Sequence, residues 1–354
     1  MGDHSAKSPP IILDGAFGTE LERRGFEARL PLWSALALIE APDLVQAIYR
    51  DYAQAGADIL TAATFRTTRY TMAKAGLADR AEELTRLAIR LAKETLPPSN
   101  FPHTVGEGLE LSSGQPVRPI KPLPHVVGET GKGKESLAPP PRPGLSPFEE
   151  GGIRRGFGPP LTAASLAPLE DCYRPDLRPS DEVLLREHAH TVRMLRDAGA
   201  DLILVETQNT AREAQIATEM ALTMGLPVWT SLMPKSATEL FNGDSLTDAA
   251  LAAYALGVDA VLVNCCPPDL AEAAFQTLRQ ALPNDVKVGA YPNFRAPSGQ
   301  PWDFSAPLSP QAFAEWGQRL AEAGADILGG CCGTTPQHIA ALAKKLNEGK
   351  ANRS

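Results

Sequence analysis

A short pattern, Ala-Gly-Ala-Asp followed by an apolar run, occurs three times in this chain of 354 residues. The copies begin at Ala55, Ala198 and Ala323, and Leu256-Gly257-Val258-Asp259 is a close variant. Each copy follows an amphipathic stretch, so its glycine suits a left-handed helix end and its apolar run suits a strand buried on both faces. Helix followed by buried strand, repeated along the chain, predicts a parallel sheet built from βα units.

Eight such units can be placed along the chain, and eight units match a closed (β/α)8 TIM-type barrel. The predicted strands are Ile11–Asp14, Ile59–Thr64, Leu161–Ser165, Leu202–Glu206, Val228–Leu232, Ala260–Asn264, Val286–Tyr291 and Ile327–Gly330. The predicted helices are Asp43–Ala55, Arg80–Thr95, Glu182–Ala198, Thr210–Met224, Thr247–Leu256, Leu270–Leu282, Gln311–Ala323 and Gln337–Asn347. An open doubly wound sheet is less favoured, because the segment 14–18 lacks the glycine spacing of a dinucleotide-binding loop.

One interval between predicted strands is much longer than the others. Residues 97–160 are rich in proline and glycine and show no apolar periodicity, so we predict a disordered insertion before the third strand. It enters the barrel at the end opposite the usual active site, so no catalytic role is expected for it. We therefore predict a flexible leader over 1–10, one barrel over 11–347 and a tail over 348–354.

Composition limits the partners and the compartment. The net charge is −8, which disfavours binding to nucleic acid or to an anionic membrane. No apolar run approaches the ~18 residues that span a bilayer, and the first residues lack a secretory apolar core. Five cysteines without such a signal indicate a reducing compartment. We predict a cytoplasmic protein acting on small molecules, and its oligomeric state stays open.

Four of the five cysteines form two adjacent pairs, Cys265-Cys266 and Cys331-Cys332, after the sixth and eighth predicted strands. Alternate strands of a barrel direct side chains into common layers, so these thiols can meet over the C-terminal mouth. Three thiolates would hold a tetrahedral zinc ion with one open position, the layout of a catalytic site. Alternatively, these cysteines are small buried apolar residues. Cys172, alone in a loop, is interpreted as an ordinary free cysteine.

Two carboxylates should face the same mouth, because Asp14 and Glu206 directly follow the apolar runs of the first and fourth strands. They could bind a cationic group such as an α-ammonium or serve as a general base. Alternatively, Asp14 is a turn residue and Glu206 belongs to a helix cap. Asn264 and Asn293 could orient ligands or satisfy backbone groups at strand ends. His338 is predicted to cap the last helix rather than to bind metal.

Four segments together resemble the homocysteine S-methyltransferase family: LDGAFGTELERRG at 13–25, LVETQNTAREA at 204–214, VNCCPP at 263–268 and GGCCGTTPQHI at 329–339. The resemblance covers the chain except the leader and the insertion. It implies a Zn2+-dependent barrel that methylates the thiol of homocysteine to give methionine. It further implies Cys265, Cys331 and Cys332 as zinc ligands, leaves Cys266 without a role, and implies Asp14, Gly15 and Glu206 as contacts to homocysteine. Asn264 is a further substrate-binding candidate.

The methyl donor is predicted from what the sequence lacks. We find no further domain for cobalamin or folate, which favours a small sulfonium, either S-methylmethionine or S-adenosylmethionine. The candidates for the donor pocket are Phe17, Phe65, Arg66 and Trp302, because the pocket should lie over the same mouth and aromatic faces attract a sulfonium cation. Alternatively, each of these side chains serves packing. A betaine- or corrinoid-dependent methyltransferase is one alternative, and a non-catalytic zinc-binding or redox-sensing barrel is another.

Overall fold

The barrel is seen in a computed structural model that describes residues 9–95, 160–294 and 308–351. Its eight strands are β1 Ile11–Ile12, β2 Ile59–Ala62, β3 Leu161–Leu166, β4 Leu202–Gln208, β5 Val228–Leu232, β6 Ala260–Asn264, β7 Lys287–Tyr291 and β8 Ile327–Leu328. All pairings are parallel, and the order is β1-β8-β7-β6-β5-β4-β3-β2. A parallel bridge from Leu13 to Ile59 joins β1 to β2. The predicted (β/α)8 fold is confirmed.

Helices alternate with the strands, as predicted. In the described ranges they are α1 Gly18–Arg23, α2 Ala37–Glu40, α3 Pro42–Gln54, α4 Arg69–Ala73, α5 Ala81–Lys93, α6 Asp181–Asp197, α7 Ala211–Leu222, α8 Leu246–Leu256, α9 Pro268–Ala281, α10 Pro310–Glu322 and α11 Pro336–Ala351. The last helix extends beyond Asn347, where its end was predicted. None of the described helices is both long and apolar enough to cross a bilayer.

Some predictions fall on parts of the chain that the structure does not describe. The predicted insertion, apart from Pro160, lies outside the described residues, as do residues 1–8 of the leader and Trp302. The two described flanks of the insertion are Thr95, which follows α5, and Pro160, which precedes β3. Both lie at the end of the barrel where strands begin, the end opposite the cysteine pairs.

Both faces of the strands are buried, which explains their nearly continuous apolar sequences. Along β4, Leu202 and Leu204 point into the barrel with Trp229 and Leu262. The alternate residues of the same strands, including Ile203, pack outward against the helices in a much larger core cluster. The interior of the barrel is therefore filled by side chains.

The aspartate of the repeated pattern joins neighbouring strands at the end where they begin. Each carboxylate accepts a hydrogen bond from a backbone N–H of the preceding strand. The bonds are Asp58 to Ile12 at 2.8 Å, Asp201 to Thr162 at 2.8 Å, Asp259 to Val228 at 3.0 Å and Asp326 to Val288 at 3.0 Å. Each bond joins one strand to the next, so the eight strands form four pairs, β1–β2, β3–β4, β5–β6 and β7–β8. We call them pinned pairs, because an aspartate fixes the two strands to each other. The sequence pattern is therefore a device that sets strand register.

Candidate active site

A cavity opens at the C-terminal ends of the strands and, counted out to its open mouth, holds about 950 Å³. Six of the seven residues predicted to bind metal or substrate line it: Asp14, Gly15, Glu206, Cys265, Cys331 and Cys332. Phe17, Phe65 and Arg66, three of the predicted donor-pocket residues, line it as well. The structure thus brings together side chains from the ends of β1, β2, β4, β6 and β8.

Three thiols meet on one side of the cavity. Cys265 is placed by a left-handed turn after β6, with φ of 57°, and it is 7% exposed. Hydrogen bonds from the thiols of Cys331 and Cys332 lower the pKa of Cys265 well below its usual range, and the same bonds raise the pKa of both donors. Within the described ranges, no group of three or more His, Cys, Asp or Glu side chains has the spacing of a metal site.

Two further donors point at the Cys265 sulfur. The Tyr173 hydroxyl lies 3.4 Å from Sγ, and Asn293 Nδ2 lies 3.7 Å from it. Burial raises the pKa of Tyr173 far above its usual range, so this phenol keeps its proton and donates. The Tyr173 ring packs edge-on against Phe241, with centroids 5.9 Å apart. Tyr173 lies in the irregular loop after β3, where no periodic pattern could have marked it as a site residue.

Two buried carboxylates occupy another part of the cavity. Asp14 accepts hydrogen bonds from the backbone N–H of Thr61 at 2.7 Å and from its hydroxyl at 2.9 Å. Glu206 accepts hydrogen bonds from the hydroxyls of Ser165 and Tyr291. Burial raises the pKa of each carboxylate to about 7, and the charge of Asp14 adds to the rise at Glu206. Neither carboxylate forms an ion pair with a described residue. Both therefore remain available to pair with a cationic ligand.

Asn264 lies behind the cavity rather than in its wall. Its Oδ1 accepts bonds from the Thr207 N–H at 3.1 Å and from the Ser231 hydroxyl at 2.7 Å, while its Nδ2 donates to the Thr207 hydroxyl at 2.9 Å. Thr207 is also left-handed, with φ of 58°. The amide therefore ties the strand end that carries Glu206 to the one that carries Cys265. Its predicted contact with substrate stays a prediction.

The turns after β1 and β8 interlock through Thr334. Its hydroxyl accepts the Ala16 N–H at 2.9 Å and donates to the Cys331 carbonyl at 2.7 Å. A Cβ atom added to Gly330 or Gly15 would come within 2.3 Å or 2.7 Å of this hydroxyl. The glycines therefore allow the turn with the cysteines to pack against the turn with Asp14. The Thr61 N–H bonds to the Asp14 carboxylate rather than to a backbone carbonyl of the neighbouring strand. The regular pairing of β1 with β2 therefore stops before Asp14, where the predicted strand ends.

The remaining cysteines and His338 differ in their positions. Cys266 is 2% exposed and belongs to the core between barrel and helices, away from the cavity. Cys172 is free, as predicted, but it also lines the cavity and packs with Cys265 in one apolar cluster. His338 accepts the Thr335 N–H at 3.1 Å and bonds to the Leu308 carbonyl at 2.7 Å, so its predicted capping role is confirmed.

A closed barrel with three thiols and two buried carboxylates at its C-terminal mouth defines the class as a barrel enzyme. A family model described as homocysteine S-methyltransferase matches residues 11–346, and the chain belongs to that family of methyltransferases.

Relatives with similar sequences and structures match almost the whole chain. Homocysteine S-methyltransferase 3 of Arabidopsis thaliana is 30% identical over 95% of this chain and 90% of its own. Selenocysteine Se-methyltransferase of Brassica oleracea var. italica is 29% identical over 95% of this chain and 88% of its own. The metallated form of the homocysteine methyltransferase MmuM from Escherichia coli superposes with a TM-score of 0.68, at 26% identity, over 96% and 97% of the two chains.

Proposed function

We propose that the protein transfers a methyl group from a small sulfonium donor to the thiol of L-homocysteine, giving methionine, with zinc as its cofactor. The observation that carries the proposal is the placement of three thiols and two unpaired, buried carboxylates in one cavity. Homocysteine has both matching groups, a thiol at one end and an ammonium at the other. Family membership and the name of the Arabidopsis relative support the same reaction.

The donor set fits zinc. Three cysteine sulfurs are soft ligands, and zinc is commonly held by sulfur with one position left for substrate. We assign Cys265, Cys331 and Cys332 as the residues that would hold the ion. When bound, zinc would act as a Lewis acid that lowers the thiol pKa of homocysteine from its ordinary ~8.5, so that a thiolate forms at neutral pH. The similarity to a metallated relative agrees with this assignment.

Asp14 and Glu206 are proposed to hold the ammonium of homocysteine, with the Gly15 backbone beside them. Both carboxylates have hydrogen-bond donors that fix their orientation, namely Thr61 for Asp14 and Ser165 and Tyr291 for Glu206. Uncharged donors leave the carboxylates free to take up a cation. An ammonium between them would offset the burial that raises their pKa values.

The chemical step is a displacement at the methyl carbon. The bond from that carbon to the donor sulfur breaks, its electron pair stays on the donor sulfur, and a bond to the homocysteine sulfur forms. The protein contributes orientation, because the acceptor is fixed at its ammonium and the donor must approach over the remaining wall. The aromatic faces of Phe17 and Phe65 in that wall suit a sulfonium cation, either S-methylmethionine or S-adenosylmethionine.

The test combines metal analysis with an assay of methionine formation from homocysteine and either sulfonium, with betaine as a third donor. We expect near-stoichiometric zinc and activity with a sulfonium. Both should be lost in Cys265→Ser, Cys331→Ser and Cys332→Ser. Cys266→Ala is the matched control, because this thiol is buried outside the cavity, and it should retain zinc. Freshly reduced protein without zinc, or full activity in the three serine variants, would contradict the proposal.

A selenol is a second acceptor to test in the same assay. A selenium-containing amino acid has the same ammonium group as homocysteine, and its selenol is a softer nucleophile than a thiol. The Brassica relative is named for selenocysteine methylation at 29% identity. We therefore propose that selenocysteine and selenohomocysteine be compared with homocysteine at equal concentration, with kcat/KM as the measure of acceptor choice.

A further inference from the structure

Among the described residues, one cation faces the cavity without an anionic partner. Arg66 lies in the loop after β2, and among the described lining residues it is the one Lys or Arg. Its guanidinium carbon lies 5.4 Å from the centroid of the Phe65 ring. Its Nη1 reaches the Glu170 carbonyl at a long 3.5 Å, and its buried Nε has no hydrogen-bond partner in the described ranges.

The neighbouring carboxylates do not neutralise this charge. Glu170 accepts hydrogen bonds from the Tyr70 hydroxyl at 2.7 Å and from Lys74 Nζ at 2.6 Å, so its carboxylate is already paired. Asp171 lines the cavity, but its Oδ1 accepts the Tyr173 N–H at 2.9 Å. No ion pair joins Arg66 to either carboxylate within the described residues. A guanidinium does not lose its proton in proteins, and a buried N–H without a partner costs free energy.

We propose that Arg66 forms a subsite for the carboxylate of an amino-acid ligand, at the part of the wall next to Phe65. This inference rests on the proposed function and assigns one residue to substrate choice. The planar fork of a guanidinium can donate two parallel hydrogen bonds to the two oxygens of a carboxylate. The ammonium of a lysine acts as a point charge and lacks this geometry. The guanidinium lies over the Phe65 ring, 5.4 Å from its centroid, within the range of a cation–π contact.

Two ligands of the proposed reaction could supply that carboxylate. Homocysteine has one, and so does a sulfonium amino acid such as S-methylmethionine. The position of Arg66 favours the donor, because Glu206 lies within β4 and Asp14 two positions beyond β1, whereas Arg66 lies four positions beyond the end of β2. A donor with its carboxylate on Arg66 would place its sulfonium near Phe65.

The test is Arg66→Gln, with Arg66→Lys as the variant that keeps the charge and loses the fork. The dissociation constants of homocysteine and S-methylmethionine are measured by calorimetry, and KM and kcat are measured in the assay. The carboxamide of S-methylmethionine is the probe without a carboxylate. If Arg66 holds the donor, Arg66→Gln raises the dissociation constant of S-methylmethionine by roughly 10- to 100-fold. The dissociation constants of homocysteine and of the carboxamide stay nearly unchanged.

Arg69→Gln is the matched control, since Arg69 is close in sequence but exposed and not in the cavity wall. If Arg66→Gln weakens the binding of homocysteine alone, the subsite holds the carboxylate of the acceptor instead of the donor. Equal binding of both amino acids to wild type and Arg66→Gln, with zinc content and unfolding unchanged, overturns the proposal. Calorimetry does not depend on turnover, so failure of the subsite can be distinguished from failure of the proposed reaction.

Discussion

At the scale of single residues, the two buried carboxylates give the site a defined pH dependence. Burial raises the pKa of Asp14 and Glu206 to about 7, above the ~4 of an exposed carboxylate. The folded protein therefore holds these protons more tightly than the unfolded chain. Its free energy of unfolding, without ligand, should fall as the pH rises from about 4 to about 7. Ligand binding has the opposite sign, because only ionised carboxylates attract an ammonium.

We expect homocysteine affinity to rise as the pH increases through about 7, the pKa of both carboxylates. Because the thiol also titrates, 2-aminobutyrate, which has the same ammonium and no thiol, is the control ligand. Calorimetry from pH 5.5 to 8.5 and urea unfolding over the same range would measure the two trends. Parallel rather than opposite trends for unfolding and 2-aminobutyrate binding would contradict the assignment.

Replacing one carboxylate should separate stability from binding. In Glu206→Gln the cost of ionising a buried carboxylate is removed, so we expect the ligand-free variant to unfold at higher urea concentration than wild type at pH 8. The same change removes half of the ammonium site, and homocysteine should bind roughly 10- to 100-fold more weakly. Reduced stability together with unchanged affinity would show that Glu206 has a structural role.

Tyr173 offers a residue-scale test of the thiol cluster. Its hydroxyl lies 3.4 Å from the Cys265 sulfur, and such outer partners typically change metal affinity by roughly 10- to 100-fold. We expect Tyr173→Phe to lower the affinity for zinc about 10-fold, measured in competition with a chromophoric chelator. Tyr254→Phe is the control, because that hydroxyl bonds to Asp285 on the other side of the molecule. Equal zinc affinity in all three proteins would contradict the role of Tyr173.

At the scale of elements, much of the barrel could be predicted because each repeat marks the boundary between a helix and a strand. The glycines of the pattern have left-handed φ values, 95° at Gly56 and 88° at Gly199, as expected of helix ends. The thiols and carboxylates could be predicted because they lie near the C-terminal ends of strands. Asn264 is the last residue of β6, but its side chain bonds backward to Thr207 and Ser231. Sequence position alone does not distinguish these two directions.

Loop residues of the site could not be predicted in the same way. Tyr173 reaches Cys265 from the loop after β3, which has no repeating pattern. The sequence alone indicates an isolated cysteine at Cys172, because its contact with Cys265 exists only once the barrel is closed. The sequence did single out Phe65 and Arg66, since they follow β2 closely. Contacts that depend on loop conformation require the three-dimensional structure.

The repeated aspartates should contribute measurably to stability. Asp201 accepts the Thr162 N–H at 2.8 Å at the start of β3, and its removal leaves that buried N–H unpaired. We expect Asp201→Ala to lower the free energy of unfolding by about 1–3 kcal/mol. Asp176→Ala is the control, because its ion pair with Arg174 is exposed and exposed pairs contribute little to stability. Equal urea midpoints for the two variants would contradict the pinning role.

At the scale of the whole molecule, the long interval between β2 and β3 falls between two pinned pairs. It also joins the barrel at the end opposite the cavity. We expect replacement of residues 97–159 by a linker of about six residues, a common length for such connections, to leave zinc content and kcat/KM nearly unchanged. A loss of more than tenfold in kcat/KM, with cooperative unfolding retained, would give the interval a role in catalysis.

The pinned pairs also divide the chemistry of the barrel. The boundary between β4 and β5 separates Asp14, Arg66 and Glu206 on the first half of the chain from Cys265 and the Cys331-Cys332 pair on the second. Under the proposed function, the first half would bind the amino-acid ends of the ligands, and the second half would hold the zinc ion that activates the thiol of homocysteine. Recognition of the ligands and activation of the thiol would then depend on different halves of the chain. Co-expressed half-barrels from different homologues would provide a direct way to exchange specificities.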